Sequence, residues 1–328
     1  MIRFGIIGTN WITETFINAA REVEDFSLTA VFSRSAETAA AFAQKHQIAA
    51  EFTDIVEMAT SGLIDAVYIA SPNSFHAAHA ITCMEHGIHV LCEKPIASNA
   101  HELRRMVAAA KENGVLLMEA LKSTFLPGFQ AIQENVSKLG EIRRYFASYC
   151  QYSSRYDAYK SGTVLNAFNP VFSNGALMDL GIYCLYPLVA LFGKPDVVKA
   201  TGVMLESGVD GEGSIVLQYG SMDAVIMYSK ITHSSLPSEI QGESGSIVID
   251  KISEPGNVQI QYRDGTSEDI SRESNSKSMY YEAKAFIELI QSGRTESDVN
   301  TFENSLITLE IMDEARKQIG LVYPADSL

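Results

Sequence analysis

Short apolar runs that alternate with helix-like segments open this chain, and no other feature restricts its fold as much. The runs are residues 2–7 (Ile-Arg-Phe-Gly-Ile-Ile), 28–32, 65–70, 88–92 and 115–118. Between them, residues 11–22, 35–46, 74–86 and 99–113 repeat apolar positions at helical spacing. Ser35 is placed to cap one of these helices and Gly114 to close the last. Strands and helices alternating at these lengths build βαβ units, and right-handed crossovers turn such units into a doubly wound parallel sheet. After about residue 120 the rhythm changes. A helical pattern covers 127–138. Strand-like segments then dominate at 141–152, 197–206, 213–219, 222–231, 238–242 and 245–250, with turns at Asp210-Gly211, Gly220-Ser221 and Asp264-Gly265. Helices are expected near 278–291 and 302–319. The expectation is an α/β protein: an N-terminal parallel-sheet domain over 1–120, then a C-terminal α/β domain over 121–328 with a large, mostly antiparallel open sheet. In that sheet Ile215 and Val216 point opposite ways, as do Val225 and Ile226, so both faces are apolar. Either a second subunit or loops must cover the second face.

Composition excludes several function classes. The formal net charge is −15 and no Lys/Arg cluster interrupts it, so neither nucleic acid nor an anionic membrane is an expected partner. Cys83, Cys92, Cys150 and Cys184 form no Cys-x-x-Cys pair and read as free thiols of a reducing compartment. The chain enters a strand pattern at once, without a signal peptide, and no apolar run is read as long enough to cross a bilayer. The expected location is the cytoplasm.

Four motifs carry chemistry. Gly8-Thr9-Asn10-Trp11-Ile12 follows the first strand and opens a helix, whose N-terminal amides attract a pyrophosphate. Of the glycines usual in such a turn only Gly8 is kept; Asn10 can take left-handed geometry, and Thr13 is small. An ordinary βα turn is the alternative. Ser33-Arg34 ends the second strand without the acid that would bind a ribose 2′-hydroxyl. An arginine flanked by serines would instead pair with a 2′-phosphate, which favours NADP(H) over NAD(H). Ser71-Pro72-Asn73, followed by His76, lies at the same sheet edge and can border the cofactor. His76/His79 and His86/His89 lack further ligands, and no metal is expected. Glu93-Lys94-Pro95 stops an apolar run at the carboxyl end of a strand, where open parallel sheets bind ligands. A surface lysine is the alternative. In Gly175-Ala-Leu-Met-Asp179-Leu-Gly181-Ile-Tyr183, Asp179 and Tyr183 share one helical face, a carboxylate and a phenol suited to a small polyol. Pro187 should kink that helix just past Tyr183.

Together, Gly5-Ile-Ile-Gly8-Thr-Asn, Ala70-Ser-Pro-Asn-Ser-Phe-His76, Glu93-Lys94-Pro95, Met118-Glu119-Ala120 and the Asp179–Tyr183 segment resemble the Gfo/Idh/MocA oxidoreductases over essentially the whole chain. The resemblance implies an N-terminal Rossmann domain, NAD(P) binding, and hydride transfer at a sugar, polyol or diol carbon. It makes Lys94 the catalytic or orienting lysine, often ahead of a cis proline. It also implies a homo-oligomer, dimer or tetramer, packed through the C-terminal sheet. Many members carry Asp-x-Gly-x-His where this chain has Asp179-x-Gly181-x-Tyr183. The tyrosine is similar to the glucose–fructose oxidoreductase and dimeric dihydrodiol dehydrogenase branch. The lack of an arginine before Phe125-Leu126-Pro127 departs from that branch.

The expected mechanism follows. Gly8–Ile12 take the pyrophosphate, Ser33 and Arg34 the 2′-phosphate, and Glu93 and Lys94 border the nicotinamide. Lys94 and Tyr183 form a proton relay, with Asp179 binding substrate. Two other classes compete: a cofactor-binding regulator without turnover, and a glycosidase that uses bound NAD. Segment 150–174, with Arg155, Tyr156, Asn166 and Asn169, supplies further candidate pocket walls.

Overall fold

The computed structural model describes residues 1–327 and divides into two compact units: Met1–Leu121 with Asn275–Phe302, and Lys122–Ser274 with residues 303–327. In the first, β1 (Ile2–Ile7), α1 (Trp11–Ala20), β2 (Phe26–Phe32), α2 (Ala36–His46), β3 (Ala50–Phe52), α3 (Ile55–Thr60), β4 (Ala66–Ile69), α4 (His76–Glu85), β5 (His89–Glu93), α5 (Ala100–Asn113) and β6 (Leu117–Ala120) follow one another. The strands form one parallel sheet in the order β3-β2-β1-β4-β5-β6. The order reverses between β1 and β4, which opens a crevice at their carboxyl ends. Local chemistry sets the helix starts. The Ser35 side chain accepts from Thr38 N, and at α5 the N-cap Asn99 Oδ1 accepts from Glu102 N while Glu102 Oε2 reaches back to accept from Ser98 N. Gly114 ends α5 at φ 64°. The core joins Phe4 to Phe26 (ring centres 4.9 Å apart) and stacks Phe16 on Tyr68 at 3.8 Å. The short β3 and α3 were not anticipated from the sequence.

The second unit is built on a sheet of eight strands. Its elements are α6 (Pro127–Asn135), β7 (Ile142–Cys150), α7 (Tyr156–Lys160), α8 (Ile182–Phe192), β8 (Val197–Met204), β9 (Asp210–Tyr219), β10 (Met222–Ser229), β11 (Ser238–Gly242), β12 (Gly245–Ile249), β13 (Val258–Tyr262) and β14 (Ser267–Asp269). The order is β14-β13-β12-β11-β7-β10-β9-β8, antiparallel except where β10 pairs with β7. β13 and β14 were not anticipated. Two helices follow. The first, α9 (Tyr280–Gln291), returns to the first unit, where Phe286 meets Phe4 at 5.9 Å. A single boundary at residues 120 and 121 does not anticipate that return. The second, α10 (Phe302–Ile319), closes the chain.

One face of the large sheet is covered and the other is not. Ile215, Leu217, Ala224 and Ile226 are buried, while their outward neighbour Val216 is 45% exposed. Residues 170–192 are, by length and hydropathy, long and apolar enough to cross a membrane, contrary to the sequence reading. Here 72% of that stretch's apolar 18-residue window is buried within the protein, as befits the core of this unit.

Candidate active site

In the first unit, the expected cofactor residues gather at the carboxyl edge of the parallel sheet. Gly8 follows β1 with φ 107°, and a Cβ there would stand 2.6 Å from Ala70 O at the end of β4. Only glycine lets the two strand ends come that close. Asn10 is extended (φ −95°, ψ 178°), not left-handed as the sequence reading allowed. It caps α1, its Oδ1 accepting from Ile12 N and Thr13 N while its amide donates to Ala70 O at 2.7 Å. The buried Thr13 hydroxyl donates to Gly8 O at 3.0 Å, which explains how a threonine serves where glycine is usual. Thr9 lies within this turn, and Trp11 is exposed on α1.

At the end of β2, Ser33 is half-buried and Arg34 exposed, its guanidinium carbon 5.5 Å from the Phe75 ring centre. After β4, Ser71, Pro72 and Asn73 are partly accessible. His76 is buried, with Nε2 2.7 Å from Ser71 O and Nδ1 3.0 Å from Pro95 O. Burial holds it below the ordinary histidine range, although both carbonyls favour its charged form, and holds His79 down to about 4. His76 therefore joins the Ser71 and Pro95 loops and is spoken for by backbone. His86 Nδ1 lies by Thr82 O, and His89 Nδ1 accepts from Leu116 N, which leaves neither pair arranged for a metal. The Lys94–Pro95 peptide is cis. Glu93 is buried, accepting from Tyr68 Oη and Lys94 N, and Glu119 Oε1 accepts from Ile96 N at 3.0 Å. The Glu-Lys-Pro loop is thus tied down on both sides of the half-buried Lys94.

In the second unit, the helix bearing Asp179 and Tyr183 begins differently from the sequence expectation. Leu177–Gly181 form a π turn that runs into α8. The irregularity stands ahead of Tyr183, and Pro187 sits inside α8. Its first amides are held from β9. The fully buried Asp210 carboxylate accepts from Ala176 N at 3.0 Å and Leu177 N at 2.7 Å. Gly175, at φ 152°, makes room for it, since a Cβ there would fall 2.0 Å from Asp210 Oδ1. Gly181 lets the Tyr228 ring lie against the turn, 3.1 Å from where a Cβ would be. Burial raises the Asp210 carboxyl to about 6, although both amides and Lys230 favour its charged form.

Tyr183 opens on a cavity of about 540 Å³ within this unit. Tyr149 meets its ring edge-on, centres 5.7 Å apart, and donates to Gln151. Much of the remaining wall is polar, including His233, Ser234, Asp250 and the Lys122–Glu254 ion pair. Of the expected wall 150–174, Cys150 and Gln151 line the cavity, while Asn169 caps its own turn by accepting from Val171 N. Sequence reasoning missed His233–Leu236 and Asp250–Glu254, which lie far along the chain. It also missed Lys230, whose ammonium is 2.9 Å from Asp179 Oδ2. All four cysteines are buried free thiols; burial pushes Cys83 up to about 12 and raises the others.

Residues 2–121 match the oxidoreductase family with an NAD-binding Rossmann fold, and residues 129–248 match the GFO/IDH/MocA C-terminal domain. The chain belongs to the Gfo/Idh/MocA oxidoreductase family. It is 59% identical over 326 residues to the scyllo-inositol 2-dehydrogenase (NADP(+)) of Bacillus subtilis, covering 99% of each chain. It is 32% identical to the trans-1,2-dihydrobenzene-1,2-diol dehydrogenase of Xenopus laevis, covering 98% of this chain and 99% of that one. Among solved structures, the aldose-aldose oxidoreductase of Caulobacter crescentus, complexed with glycerol, superposes with a TM-score of 0.85 at 21% identity, covering 97% of both chains. That likeness concerns the fold. Family membership makes the chain an oxidoreductase acting on CH–OH groups, and the alternating strands and the Glu-Lys-Pro and Asp-x-Gly-x-Tyr motifs pointed to it correctly.

Proposed function

We propose that this protein is an NADP(H)-dependent dehydrogenase of cyclic polyols, with an inositol-type ring as substrate. The observation that carries the reading is Tyr183 at the wall of a cavity of about 540 Å³ that carries polar side chains, one helical turn beyond an ion-paired Asp179. The close relative named for scyllo-inositol and NADP(+) supports the substrate class and the cofactor. The crevice between β1 and β4 fits a dinucleotide: Gly8 supplies the close approach, and Arg34 a cation at the end of β2 where an NAD site would carry an acid. Bound there, the cofactor supplies or accepts a hydride. Gly8, Thr9, Asn10, Trp11 and Ile12 would border its pyrophosphate, Ser33 and Arg34 the 2′-phosphate, and Ser71, Pro72, Asn73, Glu93 and Lys94 the rest.

The side chains do the remaining work. Tyr183 takes the proton of the reacting hydroxyl in oxidation and returns it in reduction. A free phenol titrates near pKa ~10, so it needs a cation to act as a base near neutrality. The resemblance to the Gfo/Idh/MocA family assigns that charge, and the stabilisation of the developing alkoxide, to Lys94. Asp179 accepts from a neighbouring hydroxyl and so orients the ring. Four reduced, buried thiols support a cytoplasmic location.

The exposed sheet face supports a homo-oligomer. Val216 on β9 (45% exposed) lies on it opposite the partly covered Val225 on β10, which in turn lies opposite Phe146 on β7, forming an apolar band across three adjacent strands. A second copy packing isologously would cover it.

The test is turnover of scyllo-inositol and other inositols with NADP(+) and NAD(+), followed at the nicotinamide absorbance. Tyr183→Phe should lose roughly two to four orders of magnitude in kcat, the usual weight of a positioned acid/base. Wild-type rates in that variant would overturn the role of Tyr183. Tight NADPH binding without turnover of any polyol would favour a sensor, and glycoside cleavage without net absorbance change would favour a hydrolase.

A further inference from the structure

We infer that Lys230 is a positioning residue of the substrate site, acting through Asp179. This rests on the reading above that Asp179 and Tyr183 serve the polyol. Lys230 follows β10, and its backbone N donates to Gly211 O across the ladder. The side chain is 3% exposed, yet its ammonium is held on three sides. It lies 2.9 Å from Asp179 Oδ2, donates to Ala167 O at 3.0 Å, and stands 5.1 Å from the centre of the buried Phe168 ring. Its partner differs in exposure: the Asp179 side chain is 38% exposed.

A buried ammonium is expensive to desolvate, and an apolar residue of similar volume would serve packing at least as well. An ion pair with one end sealed in the core and the other open to solvent makes sense as a device for fixing the open end. Lys230 is the sealed end. Asp179 sits on the π turn, where the regular α-helical register is interrupted. Two neighbouring positions of one hairpin restrain that turn by different means. Asp210, at the start of β9, holds its first backbone amides, and Lys230, opposite Gly211, holds its carboxylate. A paired Asp179 keeps one orientation, which makes it an acceptor for a substrate hydroxyl and leaves proton transfer to Tyr183.

The experiment is a double-mutant cycle on the full chain, with Lys230→Met, Asp179→Asn and the pair, read as KM and kcat for the best polyol and Kd for NADPH. Lys230→Met should raise KM tenfold or more with a smaller fall in kcat and unchanged NADPH affinity. On the Asp179→Asn background it should cost less than threefold, because the group it positions is already neutralised. Lys230→Arg should recover most of the loss, and it also serves if the methionine variant does not fold. Full additivity in the cycle overturns the inference, as does a wild-type KM in folded Lys230→Met. No rescue by arginine overturns it where methionine does not fold. If Tyr183→Phe abolishes turnover while Lys230→Met does not change KM, this inference fails alone. If the wild-type protein turns over no polyol, the parent reading fails and takes this one with it.

Discussion

Replacing Gly175 by alanine should damage the protein through one contact. The new methyl carbon would stand 2.0 Å from Asp210 Oδ1, well inside van der Waals contact. The carboxylate has little freedom to retreat, since it is fully buried and bonded to Ala176 N and Leu177 N. If it withdraws, two charge-assisted hydrogen bonds are lost, each worth about 1.5–3 kcal/mol. If it stays, the backbone must leave φ 152°, a conformation that costs an alanine about 1–3 kcal/mol in any case. The expected loss is therefore about 3–5 kcal/mol. For a domain of 150–250 residues each kcal/mol moves Tm by about 2–4 °C, so a fall of roughly 10 °C is expected. Near-UV circular dichroism melts of wild type, Gly175→Ala, Asp210→Ala and the double variant would measure it. With the carboxylate removed, the alanine should cost only its backbone strain. A Tm within 2 °C of wild type for Gly175→Ala, or equal costs in both backgrounds, would refute the assignment of Asp210 as the anchor of the turn.

Three further outcomes are expected. Arg34→Ala should weaken NADPH roughly tenfold or more while leaving NADH nearly unchanged, by fluorescence titration, because only the former carries the phosphate that Arg34 would pair with. The Asp210 carboxyl keeps its proton up to about pH 6 in the folded state and near 3.8 when unfolded. Its folded pKa is raised, so its stabilising contribution is fully present below the unfolded value and falls by up to about 3 kcal/mol as pH rises to about 6. The margin of wild type over Asp210→Asn in urea should accordingly shrink between pH 4.5 and 7; a constant margin would contradict the burial argument. Val216→Lys should reduce the mass by light scattering to that of one chain, whereas an unchanged oligomer would place the subunit interface elsewhere.

The parts of the fold that were legible in the sequence are those set by local chemistry. Ser35 and Gly114 bound their helices as read, and the parallel sheet followed from apolar runs spaced by helices. Val258-Gln-Ile-Gln-Tyr262 alternates as a strand should, and that signal was available but unread. The three-residue β3 carries too little pattern to be seen. Other features depend on partners distant in sequence. Nothing near Phe286 says that it packs on Phe4. The π turn could not be inferred from Gly175–Tyr183, because its anchor is Asp210, and an aspartate before a glycine at a strand start reads as an ordinary turn residue. Lys230 likewise reads as a solvated lysine beyond a strand, until the ladder sets it beneath Asp179.

The division of labour on the β9–β10 hairpin also explains why the helix bearing Asp179 and Tyr183 need not be regular. A regular α-helix would fix Asp179 and Tyr183 on one face by its own geometry. The π turn gives up that guarantee at the residue where orientation matters. Restraint must then come from outside the helix, and the hairpin supplies it twice, to the backbone through Asp210 and to the side chain through Lys230. The two restraints should fail differently. Loss of the backbone anchor displaces the whole turn and should lower stability and kcat together. Loss of the side-chain anchor leaves the turn in place and frees one carboxylate, which should appear chiefly in KM.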